Sequence, residues 1–426
     1  MCAADVRQAW RRRQGPDMLD RDAVVGALQR LLGVAAVWIL FTNLPRYLLD
    51  AGIAEVPPAI VLGGFMMAAL GLLAAPSPIR YASRSPLLWW GGYSLWILLA
   101  GYLLGARGEG ALENTLRSGL TVASAWAFLL VFCDPRAAAS GRRAIMWATL
   151  FAVAMNLVDV VRPMTFSHFV GRAAGLYLNP NIAGSAIVYG MLVGTSTLQP
   201  RARPWFVLAT AIGVLTTFSR GSILVWVIAV TLYLIAGVVR PRYSQVAIGL
   251  GAAGAIAAAV PSGTIAAGVA MLRTAEGNQT ERLGASGLAA ALGGTSGIER
   301  QQVARRAWSL FAEHPIIGAG PGATTSWSES QSTHNMYLKF LAEYGFLGLL
   351  IYPCVVVATF WRAPKPEWPL AFTFSLAWGL FGLVSHNEFG YLHLMVVIGL
   401  MSASTVIARE RQGSEGPGVQ PEARLP

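Results

Sequence analysis

The sequence predicts an all-α, polytopic membrane protein of about twelve transmembrane helices, with a long non-cytoplasmic loop containing a short amphipathic helix. Three observations predict this class. Of 426 residues, 55% are hydrophobic and 12% charged, and a soluble domain normally carries about twice that charged share. The mean hydropathy is +0.53. The apolar residues also come in runs of roughly 17–25, the length needed to cross a bilayer.

Taken in order, the expected spans are 24–43, 57–75, 87–105, 117–133, 143–161, 180–198, 204–218, 222–239, 245–261, 336–360, 368–385 and 391–408. The ninth is rich in Ala and Gly and has little bulk. The first 23 residues are polar and basic. The apolar run behind them has no small-x-small cleavage pattern, so it reads as a retained anchor helix. Arginines set the orientation. The N-terminus and the connections holding Arg80 and Arg84, Arg136 to Arg143, Arg201 and Arg203, Arg240 and Arg242, Arg362 and Lys365, and Arg409 and Arg411 all fall on one side. The positive-inside rule makes that side cytoplasmic, with both termini inside.

The resulting organisation is a cytoplasmic segment 1–23, nine helices over 24–261, an outer loop over 262–335, three helices over 336–408 and a cytoplasmic tail, 409–426. Within the loop, 274–298 is rich in Gly, Ala, Ser and Thr and reads as mobile. Residues 299–313 read as an amphipathic helix against the outer membrane surface or the bundle, with Val303, Ala307, Leu310 and Phe311 on one face. Pro315 and GAGPG then end it.

The net charge of +11 would raise nucleic acid as a partner for a soluble domain. Here the positive-inside bias accounts for most of it, and the partner expected is the bilayer. Cys2, Cys133 and Cys354 are too far apart for a metal-site spacing, and two lie in apolar spans. The chain has no Asp-x-Asp pair and no Walker or GxSxG pattern. No cofactor is expected, and charge neutralisation falls to arginine.

Several arginines stand in short outer connections, against the positive-inside trend: Arg46, Arg107, Arg117, Arg162, Arg172 and Arg220. Arg220, in FSRGS, is the sharpest case. It reads either as a side chain snorkelling to lipid headgroups or as a phosphate clamp, because a guanidinium forks two hydrogen bonds onto phosphate oxygens. His334, where the loop enters the tenth span, is either an interfacial or capping histidine or a general base. Ser332, Thr333 and Asn335 beside it are candidate helix caps. His386 and His168 are further outer histidines. With Glu388 they form no ligand spacing, so no metal site is expected. Asn179 and Asn181 in NPNIAG stabilise a turn or contact substrate.

These motifs resemble the O-antigen ligase family of glycan-transferring membrane proteins. The resemblance rests on FSRGS, on ERQQVARRAWSLFAEHPIIGAGPG (299–322), on THNMYLKFLAEYGFLGLL (333–350) and, more weakly, on NPNIAG. Their order and membrane placement fit as well. The resemblance implies a metal-independent, inverting glycosyltransfer site on the periplasmic side of a bacterial inner membrane. The donor would be a glycan on undecaprenyl pyrophosphate and the acceptor a hydroxyl of lipid A–core. It also implies that His334, Arg220 and Arg300 are catalytic; Asn335, Asn181, Arg305, Arg172 and His386 are the further residues expected to contact substrate. One departure stands: Ala304 occupies the place where the family often has tryptophan, and Trp308 comes later. The register leaves Arg300 open against Arg305 or Arg306.

Two rivals remain at this level. An O-antigen polymerase joining lipid-linked repeat units would use much the same residues on another acceptor. A transporter would need ionisable groups near mid-membrane, whereas Arg30 and Asp159 lie near span boundaries.

Overall fold

The structure, a computed structural model, describes residues 16–105, 110–169, 171–242, 245, 295–324, 333, 335–385 and 388–414. Among them every regular element is a helix. The first half holds α1 (Pro16–Ala36, continued by a π turn to Phe41), α2 (Leu44–Asp50), α3 (Pro58–Gly71), α4 (Pro76–Ala82), α5 (Pro86–Leu104), α6 (Ala111–Phe132) and α7 (Pro135–Val161). The second holds α8 (Pro180–Thr195), α9 (Arg203–Thr216), α10 (Arg220–Ile235), α11 (Thr295–Glu313), α12 (Met336–Leu349), α13 (Ile351–Phe360), α14 (Trp368–Val384) and α15 (Leu392–Ser414).

Local chemistry sets many of the starts. Proline opens α5, α7 and α8, where its missing N–H costs nothing and its fixed φ suits the first turn. The preceding residue caps each one: Ser85 accepts from Leu87 N, Asp134 from Arg136 N and Ala137 N, and Asn179 from Asn181 N. A membrane core offers no water to unpaired backbone groups, so such ends must be satisfied from within.

Among the described residues, five helices are long and apolar enough to span a bilayer: Asp22–Phe41, Pro86–Leu104, Ala111–Phe132, Pro135–Val161 and Leu392–Gly413. A sixth is obtained if the bent pair α12–α13 is one span, and four further apolar helices are shorter, at 10–17 residues. The protein is thus an all-helical, multi-pass membrane protein. The expected count of twelve is not reached by length alone among the described residues, and the ninth expected span, 245–261, falls almost wholly outside them. Two helices form the centre of the bundle. Every residue of α8 from Ala183 to Thr195 is buried, and α15 from Leu394 to Ile407 is nearly so. A helix apolar on all sides belongs inside a bundle. At the periphery, Trp89, Leu104 and Ile235 are exposed.

The tenth expected span, 336–360, is corrected. Instead of one straight helix, the chain makes α12 and α13, bent by 66°. Within α12 itself, Gly345 takes φ +66° and ψ −158°, a conformation essentially confined to glycine. The cause is a tertiary contact. The GAGPG segment behind α11 lays its backbone against this break: Ala319 N donates to Ala342 O at 2.8 Å, Gly320 N to Glu343 O at 3.0 Å, and Phe346 N to Pro315 O at 2.9 Å. Those bonds take up backbone groups that the break frees. A Cβ on Gly345 would lie 2.4 Å from Ile316 O, and one on Gly318 would lie 2.3 Å from the Glu343 carbonyl carbon. Glycine is therefore required on both sides of the seam. The loop helix α11 follows the same docking: Ala307 and Phe311 are buried, and Phe311 meets Phe346 edge to face at 4.9 Å. It begins at Thr295, within the end of the stretch expected to be mobile, and it packs on the bundle.

Gly345→Ala combines the wrong φ with a steric clash. It is expected to destabilise the protein by about 3 kcal/mol or more, seen as a lowered melting temperature in detergent. A melting temperature equal to that of the wild type would show that the seam is not rigid.

Candidate functional site

Three helix N-termini gather at one end of the bundle. Gly184, in the second turn of α8, packs so closely on α10 that a Cβ there would lie 2.4 Å from Ser222 Oγ. This brings the α8 start, with Asn181, beside the α10 start, with Arg220. Next to Arg220, Gly221 faces Val384 at the end of α14. From there Tyr337, in the first turn of α12, donates to Gly379 O at 3.1 Å, and Phe340 meets Phe389 at 5.2 Å. The starts of α8, α10 and α12 therefore face the same region. The positive ends of their dipoles make it favourable for an anion.

Arg220 is the first residue of α10. Ser219 caps the helix, accepting from Ser222 N and from Ser222 Oγ, the latter at 2.9 Å. Just before it, Phe218 has φ +48°, an uncommon conformation for a bulky side chain that costs about 1–2 kcal/mol. Leu178, before the Asn179 cap of α8, has φ +63°. Both cap turns thus hold an apolar residue in the left-handed region. The guanidinium of Arg220 is exposed.

Arg172 is the second cation of the site. Its Nε donates to Thr217 O at 3.0 Å and its Nη2 to Asn181 Oδ1 at 2.9 Å, and the guanidinium lies 5.9 Å from the Phe169 ring centroid. Burial, and then the positive charge of Arg220, push its pKa below the usual arginine value. Two cations held this close to each other suit a ligand with multiple negative charge.

The loop that carries Arg172 hangs on a residue that sequence reading placed only as a charge near a span boundary. Asp159, at the end of α7, is buried, and its carboxylate accepts from Phe166 N at 3.1 Å, Ser167 N at 3.1 Å and Ala174 N at 2.9 Å. Ala173 N also donates to Thr216 O at 3.0 Å, tying this loop to the α9–α10 turn. Backbone N–H groups on both sides of Arg172 thereby converge on one carboxylate. The available signal was an aspartate inside a run of apolar residues, but the spacing of its partners is not periodic.

The other expected residues divide. Asn179 is a helix cap, whereas Asn181 holds Arg172. Asn335 caps α12, accepting from Leu338 N at 3.1 Å. Thr333, two residues earlier, is buried, and its hydroxyl finds no partner among the described residues. Arg305 and Arg306 stand on the exposed face of α11. The backbone of Arg300 lies in α11, while His334 and His386 fall outside the described residues. His168 bonds Asp50 Oδ2 at 3.0 Å. Glu388 is instead buried, accepting from the Tyr189 hydroxyl at 3.2 Å.

The carboxyl of Glu388 is raised to about 7 by burial, against the opposing hydrogen bonds of Tyr189 and Ser385. A raised carboxyl favours the folded state while it is protonated in that state, below its unfolded value. That contribution is lost as pH rises through about 7. The melting temperature is therefore expected to fall between pH 5 and pH 8, and Glu388→Gln is expected to flatten that slope; an unchanged slope in the variant would rule Glu388 out as its source. For the cation pair, Arg172→Gln and Asp159→Asn are each expected to weaken binding of inorganic pyrophosphate about tenfold, measured by calorimetry on the purified chain. Wild-type affinity in both variants would remove the pair from anion binding.

Residues 205–352 match a family model described as O-antigen ligase. No curated protein matches the chain. The matched segment runs from α9 through the Arg220 turn, the long loop, α11 and the GAGPG seam into α13, so it contains Arg220, Arg300, Arg305, His334 and Asn335. Arg172, Asn181 and His386 lie outside it. Over the very segment that builds the seam and the Arg220 turn, the chain is therefore similar to the O-antigen ligase family.

Proposed function

We propose that the protein is an O-antigen ligase. It transfers a glycan from undecaprenyl pyrophosphate to a hydroxyl of lipid A–core at the periplasmic face of a bacterial inner membrane. The observation that carries this reading is the Arg172–Arg220 pair, set among three helix N-termini at one end of the bundle. A pyrophosphate on a lipid anchor meets both demands of such a place, since its charge satisfies the cations and its tail stays in the bilayer.

In this reading the acceptor hydroxyl gives its proton to the His334 imidazole, and its oxygen attacks the anomeric carbon. The bond from that carbon to the pyrophosphate oxygen breaks on the opposite face, and its electron pair leaves with the pyrophosphate, which gives inversion. Arg220 and Arg172 stabilise the charge that builds on the leaving group, with Arg300 or Arg305 closing over it from α11. Donors aimed at developing charge contribute most to such a step. A positioned base adds roughly 10²–10⁴-fold. Asn335 fits as the cap that fixes the backbone after His334, Asn181 as the residue that orients Arg172, and His386 as a further contact to the acceptor or donor. Pyrophosphate is already a good leaving group, so the chemistry proceeds without a metal.

The test is a reaction of the purified chain with undecaprenyl-pyrophosphate glycan, with and without lipid A–core. Product that forms only with lipid A–core, and that is lost in His334→Ala and reduced about 10²-fold in Arg220→Lys, is the expected result. Lengthening of the glycan without lipid A–core would make the protein a polymerase. Wild-type transfer by His334→Ala would remove that residue from the role of base.

A further inference from the structure

A second feature lies at the other end of the bundle. An apolar groove of about 420 Å³ runs between α5 and α13, lined by Trp89, Trp90, Tyr93, Cys354, Val357 and Trp361 among others. Its walls are tied together: Trp90 Nε1 donates to Ile351 O at 2.8 Å, and the Tyr93 hydroxyl to Leu347 O at 2.6 Å. The groove opens outward, since Trp89 is 81% exposed and Trp361 50%. It starts at Pro86, the first residue of α5. The far end of α5 reaches the GAGPG seam, where a Cβ on Gly105 would lie 2.9 Å from Gly320 Cα. At 1.5 Å per residue, the mouth of the groove is roughly 27 Å from that seam.

Three arginines converge at this mouth. Arg84 stands two residues before Pro86, and Arg362 directly follows Trp361. Arg409, near the end of α15, donates to Arg84 O at 3.0 Å and feels the positive charges of both Arg362 and Arg84. Glu410 pairs with Arg84, which leaves positive charge in excess. Arg362 also has φ +56°. Arg84 and Arg362 are exposed and Arg409 is half-buried, so the cluster of like charge is open to an anionic group arriving from outside.

We infer that the groove and its arginine mouth bind one anionic phospholipid in the leaflet opposite the candidate site. The phosphate sits among Arg84, Arg362 and Arg409, and an acyl chain lies along Trp89, Trp90 and Val357. An apolar slot alone would accept any lipid chain, but arginines at its mouth select a negative head. Basic pockets between helices at a membrane surface take anionic headgroups, each cation contributing about fivefold in affinity. Tryptophan at headgroup depth is where its amphipathic ring is most stable. A free phosphate would leave the slot empty, so the lipid is the occupant that uses both halves.

The test places the purified full chain in phosphatidylcholine nanodiscs. The lipid is replaced stepwise by brominated phosphatidylglycerol or by brominated phosphatidylcholine, whose bromines quench tryptophan on contact. Half-maximal quenching is expected at a mole fraction at least about tenfold lower for the phosphatidylglycerol. Arg362→Asn removes one charge and keeps a residue that tolerates positive φ, so it should shrink that preference about fivefold. Arg46→Gln, at the other end of the bundle, should leave it unchanged. Equal quenching by both lipids, an unaltered preference in Arg362→Asn, or the same loss in Arg46→Gln would overturn the site. Relief of the quench by undecaprenyl phosphate at equal mole fraction would also overturn it, by giving the groove to a prenyl chain.

Discussion

The carboxylate of Asp159 is the point on which the anion-binding end of the molecule depends. It is buried, and it gathers backbone N–H groups from Phe166, Ser167 and Ala174. A carboxylate that accepts several such bonds holds its loop far more firmly than neutral contacts do. With the loop pinned on both sides, Arg172 has little freedom left, and its guanidinium spans Thr217 O and Asn181 Oδ1. Those two acceptors belong to the turn that launches Arg220 and to the first turn of α8. One buried charge therefore fixes the relative placement of two cations that would otherwise repel each other apart. The left-handed Phe218 and Leu178 beside them show the same logic, because a strained turn survives only where its surroundings over-determine it.

The second constraint is the seam between the long loop and the broken span. A straight helix through 336–360 would satisfy its own backbone, and nothing else could then dock there. Breaking it at Gly345 frees carbonyls and N–H groups that the GAGPG segment takes up. The loop is thereby joined to the bundle through backbone bonds, and α11 comes to rest on Phe346. The arrangement sets the α12 start, with Asn335 as its cap, against α14 and Phe389. Non-helical backbone at membrane depth is tolerated where protein covers it, and here the loop provides the cover.

Much of this was legible in the order of the residues. FSRGS announced a charge in a connection too short to be a loop, and NPNIAG announced a turn where a helix begins. The same patterns did not separate the two asparagines of NPNIAG. Asn179 satisfies its own helix, whereas Asn181 serves a guanidinium nine residues away in sequence. Asp159 was legible only as a charge near a span boundary, since its partners follow no period. The bend at Gly345 was hidden for a similar reason. Glycine and apolar residues at 345–350 suit a straight membrane helix equally well, and only the approach of another segment's backbone chooses the break.

By itself the sequence determined the all-helical membrane class, the capped start at Asn335, and the residue types available to an anion. Those properties follow from hydropathy and from hydrogen bonds made within a few positions of the chain. Tertiary structure alone decided that Arg172 joins Arg220, that Asp159 holds them, that the tenth span is broken, and that Arg84, Arg362 and Arg409 meet beneath an apolar groove. Each of these depends on contacts that follow no local period of the chain. Local periodicity carries no record of such contacts, because they depend on which helix faces the bundle makes adjacent.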